Sequence, residues 1–260
     1  MAAEGLHGRT ALVTGSTGGI GLAIAEALAA GGCAVVLHGL ASPAEGETVA
    51  AALAARHGIA ARYHLAELAA PTAIAELAAA AGEVDIVVNN ATTRHFGPVE
   101  ETSQEAWDTD IAVNLSAAFH LIRLTLPGMR RRGWGRIVNM SSIYGRIGAT
   151  GRIGYVTTKT ALIGLTRGVA LETAGSGITC NALCPGATLT PNIAGRIQAA
   201  MAAFGADEAT AAARFLAGKQ PTGRFVEASA IGAMVAFLCG PAGRDITGTA
   251  LPIDGGWSAA

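Results

Sequence analysis

Between Ala11 and Ala30 the chain passes from a short apolar strand, through a glycine-rich loop, into a helix, and few folds accommodate that order. Ala11-Leu12-Val13 leads into Thr14-Gly15-Ser16-Thr17-Gly18-Gly19-Ile20-Gly21, and Leu22 to Ala30 carries Ala, Leu and Ile at helical spacing. Gly15 permits a tight turn, Gly19 lets a diphosphate approach backbone N–H groups, and Gly21 lets helix and strand pack closely. The helix then points the positive end of its dipole at the phosphates. A glycine turn that binds nothing is the competing reading for this stretch alone.

The rest of the chain repeats the alternation. Strands are expected at Ala34–His38, Ile59–His64, Val84–Val88, Ile137–Ser141, Ile178–Leu183 and Ala250–Ile253. Helices are expected at Glu45–His57, Pro71–Ala81, Ser103–Arg132 with an interruption near Asn114, Tyr155–Thr173 and Ala228–Cys239. Alternating strands and helices imply right-handed crossovers and an α/β fold, a single-domain Rossmann-like doubly wound parallel sheet with helices on both faces. Residues 1–260 read as one nucleotide-binding and catalytic domain. The Ala-rich, less regular segment at about 190–220 is expected to be a mobile lid over the substrate. Ligands of such sheets bind at the carboxyl ends of the strands, where Gly15, Asn90, Ser142 and Pro185 fall.

Hydrophobic residues make up 51% of the chain and charged residues 14%, enough to fill a large core, and the net charge of −1 argues against nucleic acid or an anionic membrane as partner. No uninterrupted apolar run reads as a membrane span, and the first residues lack the apolar core of a signal peptide, so a cytoplasmic address is expected. The four cysteines lie in apolar segments without a Cys-x-x-Cys and are expected to be buried thiols. The histidines show no metal-ligand spacing, so no metal is expected.

Chemistry is carried by Ser142 and by Tyr155-x-x-x-Lys159. On a helix Tyr155 and Lys159 share a face one turn apart. An ammonium beside a phenol favours the phenolate, which can exchange a proton with an alcohol or ketone. Ser142 ends a strand and would present its hydroxyl to the same substrate oxygen. Taken alone, such a pair is more often an ordinary surface contact; its place among strand ends reverses that reading. The second strand runs out as Leu37-His38-Gly39-Leu40-Ala41-Ser42, with neither the acid often found in NAD sites nor a cation for a 2′-phosphate. That absence favours NAD over NADP, with His38 expected to be a neutral strand-end histidine.

Thr14-Gly-x-x-x-Gly-x-Gly21, Asn89-Asn90-Ala91, Asn114, Ser142, Tyr155-x-x-x-Lys159 and Pro185-Gly186 together resemble the short-chain dehydrogenase/reductase family over essentially the whole chain. The C-terminal half resembles the D-3-hydroxybutyrate dehydrogenases within it, through Ala170–Thr179, Lys219-Gln220-Pro221 and Ile246–Thr249 before Asp254-Gly255-Gly256-Trp257. The resemblance implies a catalytic set of Asn114, Ser142, Tyr155 and Lys159. It implies cofactor contacts from Gly15, Ser16, Thr17, Gly19, Ile20, Gly21, Leu40, Glu67, Leu68, Asn90, Ala91, Tyr155, Lys159, Pro185, Thr188 and Thr190. On the substrate side it implies Arg94, Ser142, Tyr144, Arg152, Tyr155, Ala187, Arg196 and Trp257. Several of these depart from the hydroxybutyrate pattern: Arg94 and Arg196 stand for glutamines, Tyr144 for a histidine, Arg152 for a lysine and Ala187 for an indole. Thr92 replaces the usual glycine after Asn-Asn-Ala, and Glu67 the usual adenine-contacting aspartate. More cation and more room predict a 3-hydroxy/3-oxo acid larger than hydroxybutyrate, or a dicarboxylate. A dehydrogenase of a sugar, polyol or other neutral alcohol is the alternative, and a non-catalytic nucleotide sensor a weaker one. The resemblance also implies a homotetramer.

Overall fold

The computed structural model describes residues 5–259. Seven parallel strands form one sheet in the order β3-β2-β1-β4-β5-β6-β7. They are β1 (Thr10–Val13), β2 (Ala34–Gly39), β3 (Ala61–Leu65), β4 (Ile86–Asn89), β5 (Gly135–Met140), β6 (Ile178–Pro185) and β7 (Ala250–Ile253). The inner strands β1, β2 and β4 read as apolar runs because both of their faces are covered, whereas the edge strands β3 and β7 are half-exposed. Ala11 and Val13 point into one core with Val35, Leu37, Ile86 and Val88. Leu12, Val36 and Val87 point into the other.

Helices α1 (Gly19–Ala30), α2 (Pro43–His57) and α9 (Ala228–Cys239) close the first face. Gly232 makes the α1–α9 contact possible, since a Cβ there would sit 2.4 Å from the Ala23 carbonyl oxygen. Helices α3 (Pro71–Ala81), α5 (Ala117–Arg132) and α6 (Ile153–Glu172) close the second. Between α4 (Gln104–Ile111) and α5 lies one wide π-turn, Ala112–Ser116, the interruption expected at Asn114. The combined run Gln104–Arg132 has the length and mean apolarity of a membrane span, but it is no uninterrupted apolar run, since Glu105, Asp108, Asp110 and Arg123 break it. Its Leu121, Ile122 and Met129 are nevertheless core side chains.

The less regular segment resolves into α7 (Pro191–Phe204) and α8 (Glu208–Leu216), each started by a side-chain cap, Thr190 and Asp207. Ile193, Ile197 and Ala211 form a small core of their own, separate from the two sheet cores. Strand boundaries differ from expectation by a few residues. β3 begins at Ala61 rather than Ile59, and β4 at Ile86 rather than Val84. Pairing decides both: Ala61 pairs with Val35, and Ile86 with Ala11.

Candidate active site

The glycine loop is built for close approach. Gly15 and Gly19 have φ of 62° and 54°, in the left-handed region that favours glycine. A Cβ on Gly21 would lie 2.1 Å from the Gly15 carbonyl oxygen and 2.6 Å from Asn90 Nδ2. α1 has no acidic residue in its first turn, so its N-terminus keeps its positive end free for an anion. The loop is tied to the end of β4. Thr14 Oγ1 accepts from the backbone N–H groups of Asn90 and Ala91 at 2.9 and 3.0 Å, and Asn90 Nδ2 donates to the carbonyls of Thr14 and Gly15. A bare backbone cradle at a helix N-terminus fits a nucleotide diphosphate.

Not every residue expected at that cradle offers a side chain to it. Ser16 is wholly buried, its Oγ donating to the Val13 carbonyl and accepting from His38 N–H. Leu68 is a core residue. For both, the expected contact with a cofactor falls to the backbone. Leu40 is exposed, Thr17 lies against Gly39, and Glu67 is exposed with its carboxylate accepting from Ala69 N–H.

His38 fixes the loop from below. Gly15 N–H donates to its Nδ1 at 3.2 Å, and its Nε2 lies 2.9 Å from the Ala66 carbonyl. A ring that accepts at Nδ1 and donates at Nε2 is neutral, and burial holds its pKa below the ordinary histidine value. It is a buried brace and no cation for a phosphate. The first charged residue after β2 is Glu45, whose carboxylate closes a capping box with Ser42 at the start of α2.

At the far ends of β5 and β6 the side chains of Ser142, Tyr155 and Lys159 come together. A buried polar chain sets α6 on the sheet: Asn89 Nδ2 donates to Asn139 Oδ1, and Asn139 Nδ2 to Thr166 Oγ1. The turn Ile143–Gly145 packs on α6 so closely that a Cβ on Gly145 would lie 2.6 Å from the Lys159 carbonyl oxygen. This turn carries Ser142 and Tyr144 beside Tyr155 and Lys159. Ser142 and Tyr155 are buried at 6% and 5% exposure yet line the cleft. Lys159 is 2% exposed, lies 5.4 Å from the Tyr155 ring centroid, and donates from Nζ to the Met140 carbonyl at 2.8 Å. Burial, reinforced by the Arg94 cation, pulls its pKa down to about 7.

Asn114 sits buried in the π-turn, with its amide fully used. Oδ1 accepts from Thr92 Oγ1 and Thr93 N–H, and Nδ2 donates to the Thr93 carbonyl and Thr158 Oγ1. Thr92, where a glycine is usual, therefore adds a clasp between the loop after β4 and the π-turn. Thr93 Oγ1 and His95 both reach Asp110 on α4, at 2.7 and 3.0 Å. Arg94 rides on this clasped loop, its Cζ 4.9 Å from the Tyr155 ring centroid. No local sequence signal marks the clasp, because its partners lie about 20 residues apart.

One cleft collects most of the expected residues. Ile20, Asn90, Arg94, Ser142, Tyr144, Arg152, Tyr155, Lys159, Pro185, Ala187, Thr188, Thr190, Arg196 and Trp257 all line it. Gly15, Gly19, Gly21, Ala91 and Asn114 stand behind or beside it. Arg94 and Arg196 thus both face the site that the sequence could only assign by alignment. Arg152 stacks on the Tyr144 and Phe96 rings at 5.0 and 4.9 Å, and Tyr144 meets Trp257 edge-on at 5.4 Å. Phe215 and Lys219 also line the cleft, and sequence reasoning assigned neither a role there.

A sequence model of the family described as short chain dehydrogenase matches residues 9–200. The chain belongs to that family. It is 40% identical to the D-beta-hydroxybutyrate dehydrogenase of Cupriavidus necator over 98% of this chain and 99% of that one. It is 39% identical to the enzyme of the same name from Rhizobium meliloti, over 96% and 99%. A 2-keto-3-deoxy-L-fuconate dehydrogenase of Xanthomonas campestris is 34% identical over 97% of this chain and 81% of that one. Among solved structures, L-sorbose reductase from Gluconobacter frateurii, complexed with NADPH and L-sorbose, superposes with a TM-score of 0.95 at 28% identity, covering all of both chains. The family and the relatives make this chain an oxidoreductase that uses a nicotinamide cofactor.

Proposed function

We propose that this short-chain dehydrogenase is an NAD-dependent oxidoreductase of 3-hydroxy/3-oxo acids, with a substrate larger than hydroxybutyrate or carrying a second carboxylate. The observation that supports it most is the charge of the cleft. Arg94, Arg152, Lys159, Arg196 and Lys219 line it, and among the described residues no Asp or Glu does. The whole chain has a net charge of −1, so this concentration is local. A neutral polyol would leave these cations without partners, whereas a carboxylate can take two parallel hydrogen bonds from each guanidinium. The likeness to two hydroxybutyrate dehydrogenases at 39–40% identity points the same way.

When bound, the nicotinamide would supply the acceptor or donor of hydride. Tyr155 would take the proton of the substrate hydroxyl during oxidation and return it during reduction. Ser142 would hold the same oxygen by a hydrogen bond. Lys159 would turn from the Met140 carbonyl toward the ribose, and its positive field favours the charge that Tyr155 develops. Asn114 would hold the wide turn. With its amide committed to Thr92, Thr93 and Thr158, any water relaying protons would have to use the backbone of that turn. Thr190, which caps the lid helix α7 and lies near Gly19, would reach the carboxamide, and Pro185 and Thr188 would flank the ring.

NAD is favoured because the turn after β2 offers a 2′-phosphate no cation. His38 is neutral and buried, and the first charge beyond it is the Glu45 carboxylate. L-sorbose reductase binds NADPH on a similar fold, so the preference rests on these side chains and not on the architecture. Residues 190–220 would act as a lid on one catalytic unit. A cytoplasmic homotetramer is expected, and exposed Phe119 on α5 and Leu171 on α6 provide apolar surface for contact between copies.

Arg94→Gln tests the substrate reading. The variant is expected to raise KM for 3-hydroxy acids by about tenfold or more, the scale of one charge-assisted hydrogen bond. Turnover of neutral alcohols should change little. Equal loss on acids and neutral alcohols would mean that Arg94 does not read the carboxylate.

A further inference from the structure

Resting on the hydroxy-acid reading, we propose that Phe96, outside the lining of the cleft, is a positioning residue for acid recognition: with Tyr144 it presets the Arg152 guanidinium for the substrate carboxylate. Arg152 is half-buried at the start of α6 and lines the cleft. Among the described residues its guanidinium enters no hydrogen bond and no salt bridge, whereas Arg132 is bound to Asp85 and to the Val84 carbonyl. What Arg152 has instead is two rings, Phe96 at 4.9 Å and Tyr144 at 5.0 Å from its Cζ. Rings take the faces of a guanidinium and leave its N–H edges, through which a carboxylate accepts two parallel hydrogen bonds.

The two rings are held differently. Tyr144 is fixed by the site itself: its ring meets Tyr155 and Trp257, and its backbone N–H donates to Ser142 Oγ at 3.2 Å. Phe96 is 60% exposed and adds little to any core. Its loop places it. Thr93 Oγ1 and His95 Nδ1 lie 2.7 and 3.0 Å from the buried Asp110 carboxylate. In an extended chain alternate side chains take opposite sides. Arg94 and Phe96 accordingly reach the Tyr155 ring and Arg152 instead. One residue further on, Gly97 N–H donates at 3.2 Å to the carbonyl of Gly151, the neighbour of Arg152 in sequence. The first turn of α6 closes on the same acid, since a Cβ on Gly154 would lie 2.5 Å from Asp110 Oδ2. Loop and helix are thus locked together on both sides of the contact between Phe96 and Arg152.

An arginine that is free to move must be ordered when it binds a carboxylate, and that ordering weakens binding. Rings that hold the guanidinium beforehand remove part of this loss. Without Phe96 the acid should bind less well, while hydride transfer should continue, because Phe96 lies outside the lining that Ser142, Tyr155 and Lys159 share.

The test is steady-state kinetics with saturating NAD on racemic 3-hydroxybutyrate and on 3-hydroxyglutarate. The proteins are wild type, Phe96→Ala, Phe96→Tyr, Arg152→Gln and the double variant Phe96→Ala/Arg152→Gln. Melting temperature and NAD affinity establish that each is folded. Phe96→Ala should raise KM for the better acid about 3–10-fold, the scale of ordering one long side chain, with kcat within about twofold of wild type. Phe96→Tyr keeps the ring and should stay close to wild type. In the Arg152→Gln background the Phe96→Ala change should have no further effect on kcat/KM, because the group it holds is gone. An unchanged KM in Phe96→Ala, a loss carried by kcat, or an equal loss with and without Arg152 would overturn the proposal and leave the hydroxy-acid reading standing. If wild type turns over neither acid, the hydroxy-acid reading itself has failed, and the role of Phe96 falls with it.

Discussion

Tyr155→Phe is expected to lower turnover by about 10²–10⁴-fold, the usual contribution of a general acid/base, with NAD affinity nearly unchanged. The phenol lies in the cleft one helical turn from Lys159, 5% exposed and facing the arginine on the loop after β4. The ring makes the packing contacts with Arg94, Lys159 and Tyr144, and Phe keeps the ring. Loss of the hydroxyl alone should therefore separate chemistry from folding. A folded Tyr155→Phe protein with near-wild-type turnover would remove Tyr155 from the reaction.

Lys159→Met should do the reverse of most core substitutions and stabilise the protein while abolishing activity. Burial lowers the Lys159 pKa from 10.5 to about 7. Between those values the unfolded chain binds the proton that the folded chain has lost, so stability rises with pH across that window. The cost of burying the charge is fully present below about 7 and fades as pH rises toward 10.5. The displacement is roughly a thousandfold in the acid constant, more than the ~1 kcal/mol of a hydrogen bond such as that to the Met140 carbonyl. In the absence of nucleotide the melting temperature of Lys159→Met should exceed that of wild type most at pH 6, and the gap should close by pH 10. A difference that does not vary with pH would show that the buried ammonium is not the source.

These two groups were legible in the sequence, and so was much of the frame around them. The inner strands β1, β2 and β4 announced themselves as apolar runs because they are covered on both faces, and the glycine loop because only a glycine at position 21 lets α1 approach the Gly15 carbonyl. Pro71 marked the first turn of α3 for the same local reason. What could not be read was set by distant partners. The true start of β3 depends on pairing with β2. The side chain of Ser16 is taken by Val13 and His38, and that of Leu68 packs in the core. The Thr92–Asn114 and His95–Asp110 contacts join a loop to a helix about 20 residues away. Lys219 was visible only as part of a resemblance, because its neighbours Phe215 and Arg196 arrive from two other helical turns.

The central claim is that a cationic, acid-free cleft next to an NAD cradle selects a hydroxy acid. It is tested most directly by kcat/KM of the wild-type enzyme with NAD and with NADP, on 3-hydroxy acids and on neutral polyols of the same chain length. The account predicts that the highest value belongs to a 3-hydroxy acid with NAD, by about tenfold or more over any neutral polyol. A neutral polyol turned over better than every acid, or a clear preference for NADP, would contradict it.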